Sequence, residues 1–219
     1  MAKLMVICFD GLNRKAVEKY NLQNIKQKEY GDVRTFTVFS GSLWSSLVTG
    51  VDQERHKITS WKPTENGSLT FFRDKCKLEC VVDYAKKPLV MYYPYLDKRW
   101  RIFLGLEHKS KGEIVEKNRR VYLETLSALD TVEWDLCLVC FMIIDNLGHR
   151  GELDREDYVL IDGWCKNLIE KGKPDIAFVM GDKDPDHRPP AYYSCSRVLN
   201  LRNPKWTDFY GIFKRWLTC

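Results

Sequence analysis

Three stretches of the chain are apolar almost without interruption: Met5 to Phe9, Leu136 to Ile144, and the Ile176–Met180 part of the segment that opens on Asp175. A short continuous apolar run is what a strand covered on both faces requires. Each run meets an acid soon after its end: Asp10, Asp145 and Asp182. Between the runs the period lengthens to that of a helix. Lys117 to Leu129 places Val121, Leu123, Leu126 and Leu129 at mostly helical spacing, and Asp154 to Glu170 does so with Tyr158, Ile161, Trp164, Cys165, Leu168 and Ile169. Asp154 suits an N-cap, and Gly172 with Pro174 suits a stop. Strands alternating with helices predict an α/β fold with a mostly parallel central sheet and helices on both faces.

Open sheets of this kind bind ligands outside the carboxyl ends of their strands. The three acids are therefore expected along one edge of the sheet. Residues 62–115 do not follow the alternation. They contain Asn66-Gly67, a hairpin-type turn signal, then Pro88, Pro94 and the basic aromatic stretch Lys98-Arg-Trp-Arg101. This region reads as a peripheral subregion or insertion in a single domain of 219 residues, which a prior of about 150 residues per domain allows.

Composition narrows the function classes. With 44% hydrophobic residues there is material for one core. The 35 Lys and Arg against 30 Asp and Glu are scattered, so the chain suits an anionic substrate without requiring nucleic acid. No apolar run approaches the roughly 18 residues of a membrane span, and the N-terminus reads as a buried strand rather than a signal peptide. Of the eight cysteines, Cys8, Cys137 and Cys140 lie inside apolar runs. Cys76 and Cys80 are spaced for a metal or a disulfide, but no second Cys/His pair completes a zinc-finger pattern. Mostly reduced thiols and a cytoplasmic protein are expected.

Four segments carry chemistry: Phe9-Asp10-Gly11; Ser40-Gly-Ser-Leu-Trp-Ser-Ser-Leu-Val-Thr-Gly50 followed by Glu54-Arg-His56; Asp145-Asn-Leu-Gly-His149; and Gly181-Asp182-Lys183-Asp-Pro-Asp-His187-Arg-Pro-Pro190. Carboxylates with imidazoles suit divalent Zn²⁺ or Mn²⁺ better than Mg²⁺. A pair of such ions about 4 Å apart can clamp both oxygens of a phosphoryl transfer. A serine opening a helix also gains from the helix amides, which favour phosphate.

These segments resemble the alkaline phosphatase superfamily, in particular its type I phosphodiesterase/nucleotide pyrophosphatase and phosphoglycerate-mutase-like branches. Asp10-Gly11 is similar to the family's first metal-binding aspartate. Ser40 to Gly50 resembles its nucleophile segment, with Ser40 at the nucleophile position, and Glu54 to Ile58 resembles the motif that follows. Asp145-x-x-Gly-His149 is the most specific match. It precedes a helix bearing an inward acid, Asp162, and His187-Arg-Pro-Pro190 resembles the late ligand segment. The resemblance spans residues 4–60 and 117–200. It implies a minimal three-layer sandwich, one or two divalent ions, and hydrolysis of a small phosphate ester or nucleotide through a phosphoserine-type intermediate. One ion would take Asp145, His149 and His187, the other Asp10, Ser40 and Asp182.

Two departures bear on this. The family has Asp-His where this chain has Asp182-Lys183, and a protonated amine is no metal ligand. The second ion is then weakly held, or replaced by the charge of Lys183, or completed by Asp184 or Asp186. The chain is also short for the family. Phosphomonoesterase or sulfatase-like hydrolysis is an alternative activity, although Ser40-Gly-Ser-Leu-Trp lacks the sulfatase Pro and Arg. A degenerate relative that binds a nucleotide or metal without turnover is another. Around Ser40, the neighbours Ser42, Ser45 and Ser46 compete for the nucleophile role, with Thr37 upstream. His56 is expected to be structural, and His108 and Lys98 to Arg101 to form a solvated surface.

Overall fold

The computed structural model describes residues 2–59, 78–103 and 105–219. The Asn66-Gly67 turn and Cys76 lie outside them. Strand β1 (Leu4–Phe9) leads to the short helix α1 (Arg14–Lys19), strand β2 (Glu29–Val33), and helices α2 (Ser40–Thr49) and α3 (Gln53–His56). After β3 (Pro88–Met91) come α4 (Lys111–Thr131), β4 (Leu136–Phe141), α5 (Ile143–His149), α6 (Arg155–Gly172), β5 (Ile176–Gly181), β6 (Ala191–Cys195) and α7 (Asp208–Thr218).

The sheet order is β2-β6-β5-β1-β4-β3. Among the described strands, β6 alone runs against the others, pairing antiparallel with both β5 and β2. The expected mostly parallel sheet is thus present. Strands β1, β4 and β5 are fully buried, which explains their unbroken apolar runs. Helices cover both faces. On one, Phe141 meets Trp164 of α6; on the other, Phe178 packs edge-on against Phe209 and Phe213 of α7.

The apolar run from Leu136 divides differently from its expected reading. The strand ends at Phe141, and Ile143 and Ile144 open α5. Periodicity cannot separate a buried strand from a buried helical turn over so few residues. Asp145 therefore stands on a helix rather than directly at a strand end. Helix α6 is capped as expected, with Asp154 accepting the Asp157 amide at 3.1 Å. Residues 88–91, inside the region read as peripheral, form the edge strand of the central sheet, in register with β4. Four residues opening on Pro88 are too few to display a strand pattern.

Candidate active site

Register places the site. Phe9 is level with both Phe141 and Gly181, so three parallel strands end on one line. Asp10 and Asp182 follow immediately. The Asp10 amide donates to Phe141 O at 2.9 Å, the Asp145 amide to Asp10 O at 3.1 Å, and the Gly11 amide to Asp182 Oδ1 at 3.0 Å. Gly11 makes this closure possible. Its φ is +84°, and a Cβ there would lie 2.7 Å from the Asp145 nitrogen.

Helix α2 is buried on every side, so each of its hydroxyls needs an internal partner. Ser45 donates to Gly41 O at 2.7 Å and Thr49 to Ser45 O at 2.8 Å. Ser42 donates to Ile58 O, and Ser46 pairs with His56 Nε2 at 2.9 Å. Ser40 differs: its Oγ donates to Asp10 Oδ1 at 3.1 Å and faces a cavity. Of the competing hydroxyls, Ser40 lines that cavity while Thr37, Ser42, Ser45 and Ser46 do not. Trp44, fully buried between Tyr93 and Trp206, donates its indole N–H to Asp10 Oδ2 at 3.2 Å.

His56 lies outside the cavity and is wholly buried. Its Nδ1 accepts the Ile58 amide at 3.1 Å, so the ring proton sits on Nε2 and is donated to Ser46. Burial pushes this imidazole down to about 4. The unfolded chain takes up a proton below about pH 6.5 that the native ring refuses. Stability therefore falls as pH drops from there towards 4, by about 3 kcal/mol at the lower limit. Urea unfolding at pH 7 and pH 4.5 should show this loss in the native protein and much less of it in His56→Leu.

The spacing Asp145-x-x-x-His149 puts both side chains on one face of α5, with Asp145 Oδ2 3.4 Å from His149 Nε2. His187, in a left-handed backbone conformation at φ +60°, brings its Nε2 to 3.1 Å from that of His149. Gly148 lets the 182–187 loop approach, since a Cβ there would meet Pro185 at 2.4 Å. Ligand atoms of Asp145, His149 and His187 lie within 4.8 Å of one another. Two imidazole nitrogens and a carboxylate converging in this way are a group that could hold a metal ion.

Lys183 is 1% exposed. Its Nζ is 2.9 Å from Asp10 Oδ1, 3.0 Å from Asp145 Oδ1 and 3.4 Å from Asp182 Oδ2. Burial opposes its charge, but the three carboxylates outweigh burial and raise its pKa. Burial and Asp182 push the Asp10 carboxyl well above its usual range, against the pull of Lys183. Burial also acts on Asp145, yet the hydrogen bond with His149 and the charge of Lys183 overcome it and draw that carboxyl down to about 2.

Asp10, Ser40, Asp145, His149 and His187 line one cavity of about 640 Å³. Asp182 and Lys183 lie beneath it. Asp184 and Asp186 do not line it. The Asp184 carboxylate accepts the Asp186 and Arg188 amides of its own loop, and Asp186 pairs with Arg188. Asp162 is also elsewhere: its carboxylate accepts the Asn24 and Ile25 amides, each at 2.9 Å, and so fixes the loop before β2.

The cavity lining also has an apolar part, which includes Phe39, Trp100, Phe103 and Met142. Sequence reasoning missed this part. Lys98, Arg99 and Arg101 are exposed as expected, but Trp100 between them turns inward, stacked on Tyr95 at 5.9 Å. His108 is exposed and borders the same cavity. No periodic signal marks a single aromatic in a 3-10 turn.

No protein-family profile matches the chain, and no curated protein matches it by sequence. Solved structures do. Murine ectonucleotide pyrophosphatase/phosphodiesterase 5, in an inactive form in complex with AMP, superimposes with TM-score 0.61 at 15% identity, over 84% of this chain and 57% of that one. A 2-O GAG sulfatase gives TM-score 0.66 at 9% identity, over 96% and 70%. A protein from Pyrococcus horikoshii gives 0.55 at 10% identity, over 99% and 96%. The chain thus spans little more than half of the pyrophosphatase it matches. The chain shares the fold of these structures, which is alkaline-phosphatase-like.

Proposed function

We propose that the protein is a metal-dependent hydrolase of phosphate diesters, with nucleotides as the favoured substrate class. The observation that carries this reading is the shared cavity, in which a hydroxyl at a helix N-terminus faces the Asp145, His149 and His187 donor set. Bound there, a divalent ion supplies Lewis-acid polarisation of a phosphoryl oxygen. The amides of the first turn of α2 have no acceptors within the helix and favour the phosphate charge. Ser40 Oγ bonds to phosphorus, its proton passes to Asp10 Oδ1, and the bond to the leaving oxygen breaks, that oxygen taking a proton from solvent. A water oxygen then bonds to phosphorus and gives a proton to solvent, the bond to Ser40 Oγ breaks, and Ser40 takes its proton back from Asp10. The aromatic part of the lining suits the flat face of a base, and a neighbour with this fold is known in complex with AMP.

Hydrolysis of bis-p-nitrophenyl phosphate with Zn²⁺ or Mn²⁺ added tests the reading. Turnover is expected with the ion and none after chelation. Ion binding without any turnover would instead mark a binding protein. Sulfate-ester hydrolysis is the second reading, supported by the sulfatase neighbour and the buried lysine. Relative rates on diester, monoester and sulfate ester separate the activities.

The donor set also yields a prediction about Gly148. In Gly148→Ala the new methyl pushes the Pro185 loop away and separates His187 from His149. Ion affinity measured by calorimetry should weaken by about 10- to 100-fold, the range found when groups supporting a metal's ligands are displaced.

A further inference from the structure

We infer that the Lys183 ammonium stands where a second cation would sit, so that the chain takes one divalent ion. This rests on the metal-dependent reading above. The resemblance implies a second ion on Asp10, Ser40 and Asp182, and the side chains do not fit one. Asp10 Oδ1 already accepts from Ser40 Oγ and Lys183 Nζ, and Asp10 Oδ2 accepts from Trp44 Nε1. Asp182 Oδ1 takes the Gly11 amide, and its Oδ2 lies 3.4 Å from Lys183 Nζ. An ion binds carboxylate oxygen at about 2.0–2.2 Å, so it would have to displace the ammonium from all three carboxylates. Lys183 is 1% exposed, so its ammonium depends on these carboxylates rather than on water for its solvation.

Asp145 links the two positions. Its Oδ1 faces Lys183 at 3.0 Å, and its Oδ2 faces His149 at 3.4 Å. One carboxylate thus serves a fixed cation on one side and an exchangeable ion on the other. Formal charge agrees: three carboxylates, one ammonium and one divalent ion are neutral together. A second divalent ion would leave an excess of positive charge in a buried site.

The test is the number of ions bound. Metal-free protein is equilibrated with Zn²⁺, and bound zinc per chain is measured by mass spectrometry. One ion is expected in the native protein, none in His149→Ala, and two in Lys183→His, where a neutral imidazole replaces the ammonium. Two ions in the native protein would overturn this inference and leave the metal-dependent reading standing. No ion in the native protein would overturn that reading itself. A folded Lys183→His that still holds one ion would also overturn the inference. If that variant does not fold, anomalous scattering from zinc-loaded crystals of the native protein decides. One peak at Asp145, His149 and His187, with Lys183 still on Asp10, supports the inference; a second peak with Lys183 displaced defeats it.

Discussion

Replacing Ser40 with alanine should lower kcat for diester hydrolysis at least about 10³-fold, a loss of about 4 kcal/mol of transition-state stabilisation. The expectation follows from where hydroxyls are in this site. Ser40 is the hydroxyl of its serine cluster that reaches the cavity, while Ser42, Ser45 and Ser46 are tied to Ile58 O, Gly41 O and His56. Ser42, Ser45 and Ser46 cannot substitute without unwinding α2. Fold and ion content should not change, because the variant loses one hydrogen bond to Asp10 and touches none of Asp145, His149 and His187. Ser40→Thr keeps the hydroxyl and should retain more activity than Ser40→Ala. A Ser40→Ala protein with unimpaired turnover would exclude the phosphoserine route. A loss of zinc alongside activity would mean that Ser40 is itself a ligand.

The chain displays most clearly what burial imposes on both faces of a strand. β1, β4 and β5 have no exposed side, so their sequences are unbroken apolar runs, and the acids after them are conspicuous. That was enough to place Asp10 and Asp182 on one edge. It was less informative where one strand passes into a helix without a polar break, as at Met142. It was uninformative for β2, where Gly31 and Asp32 interrupt a half-exposed strand, and for β3, which is four residues long. The Asp145, His149 and His187 set was legible only through the resemblance of its two segments to a family's ligand segments, since His187 shares no local spacing with the other two. The role of each serine could not be read, since a buried hydroxyl's partner is set by what packs against it: Ile58 for Ser42 and His56 for Ser46. Asp162 shows the same limit. An inward acid on α6 looks equally suited to a site or to a loop anchor, and here it anchors Asn24 and Ile25.

Lys183→Met, studied without metal, should destabilise the protein by about 3–5 kcal/mol, the cost of leaving buried charge without its partner. Methionine nearly preserves the length and apolar stem of lysine, so packing changes little and the loss reports the ammonium. Removing it leaves Asp10, Asp145 and Asp182 facing one another with no compensating cation among them. Lys87→Met is the matched control. Lys87 pairs with Glu133, but their side chains are 55% and 82% exposed, and water solvates both charges once the pair is broken. An exposed pair of this kind is worth at most about 1 kcal/mol. Urea midpoints of the two variants should therefore differ severalfold in their displacement from the native protein. Equal, small shifts would mean that Lys183 is not the charge on which the three carboxylates depend, and the single-ion site inferred from it would lose its physical basis.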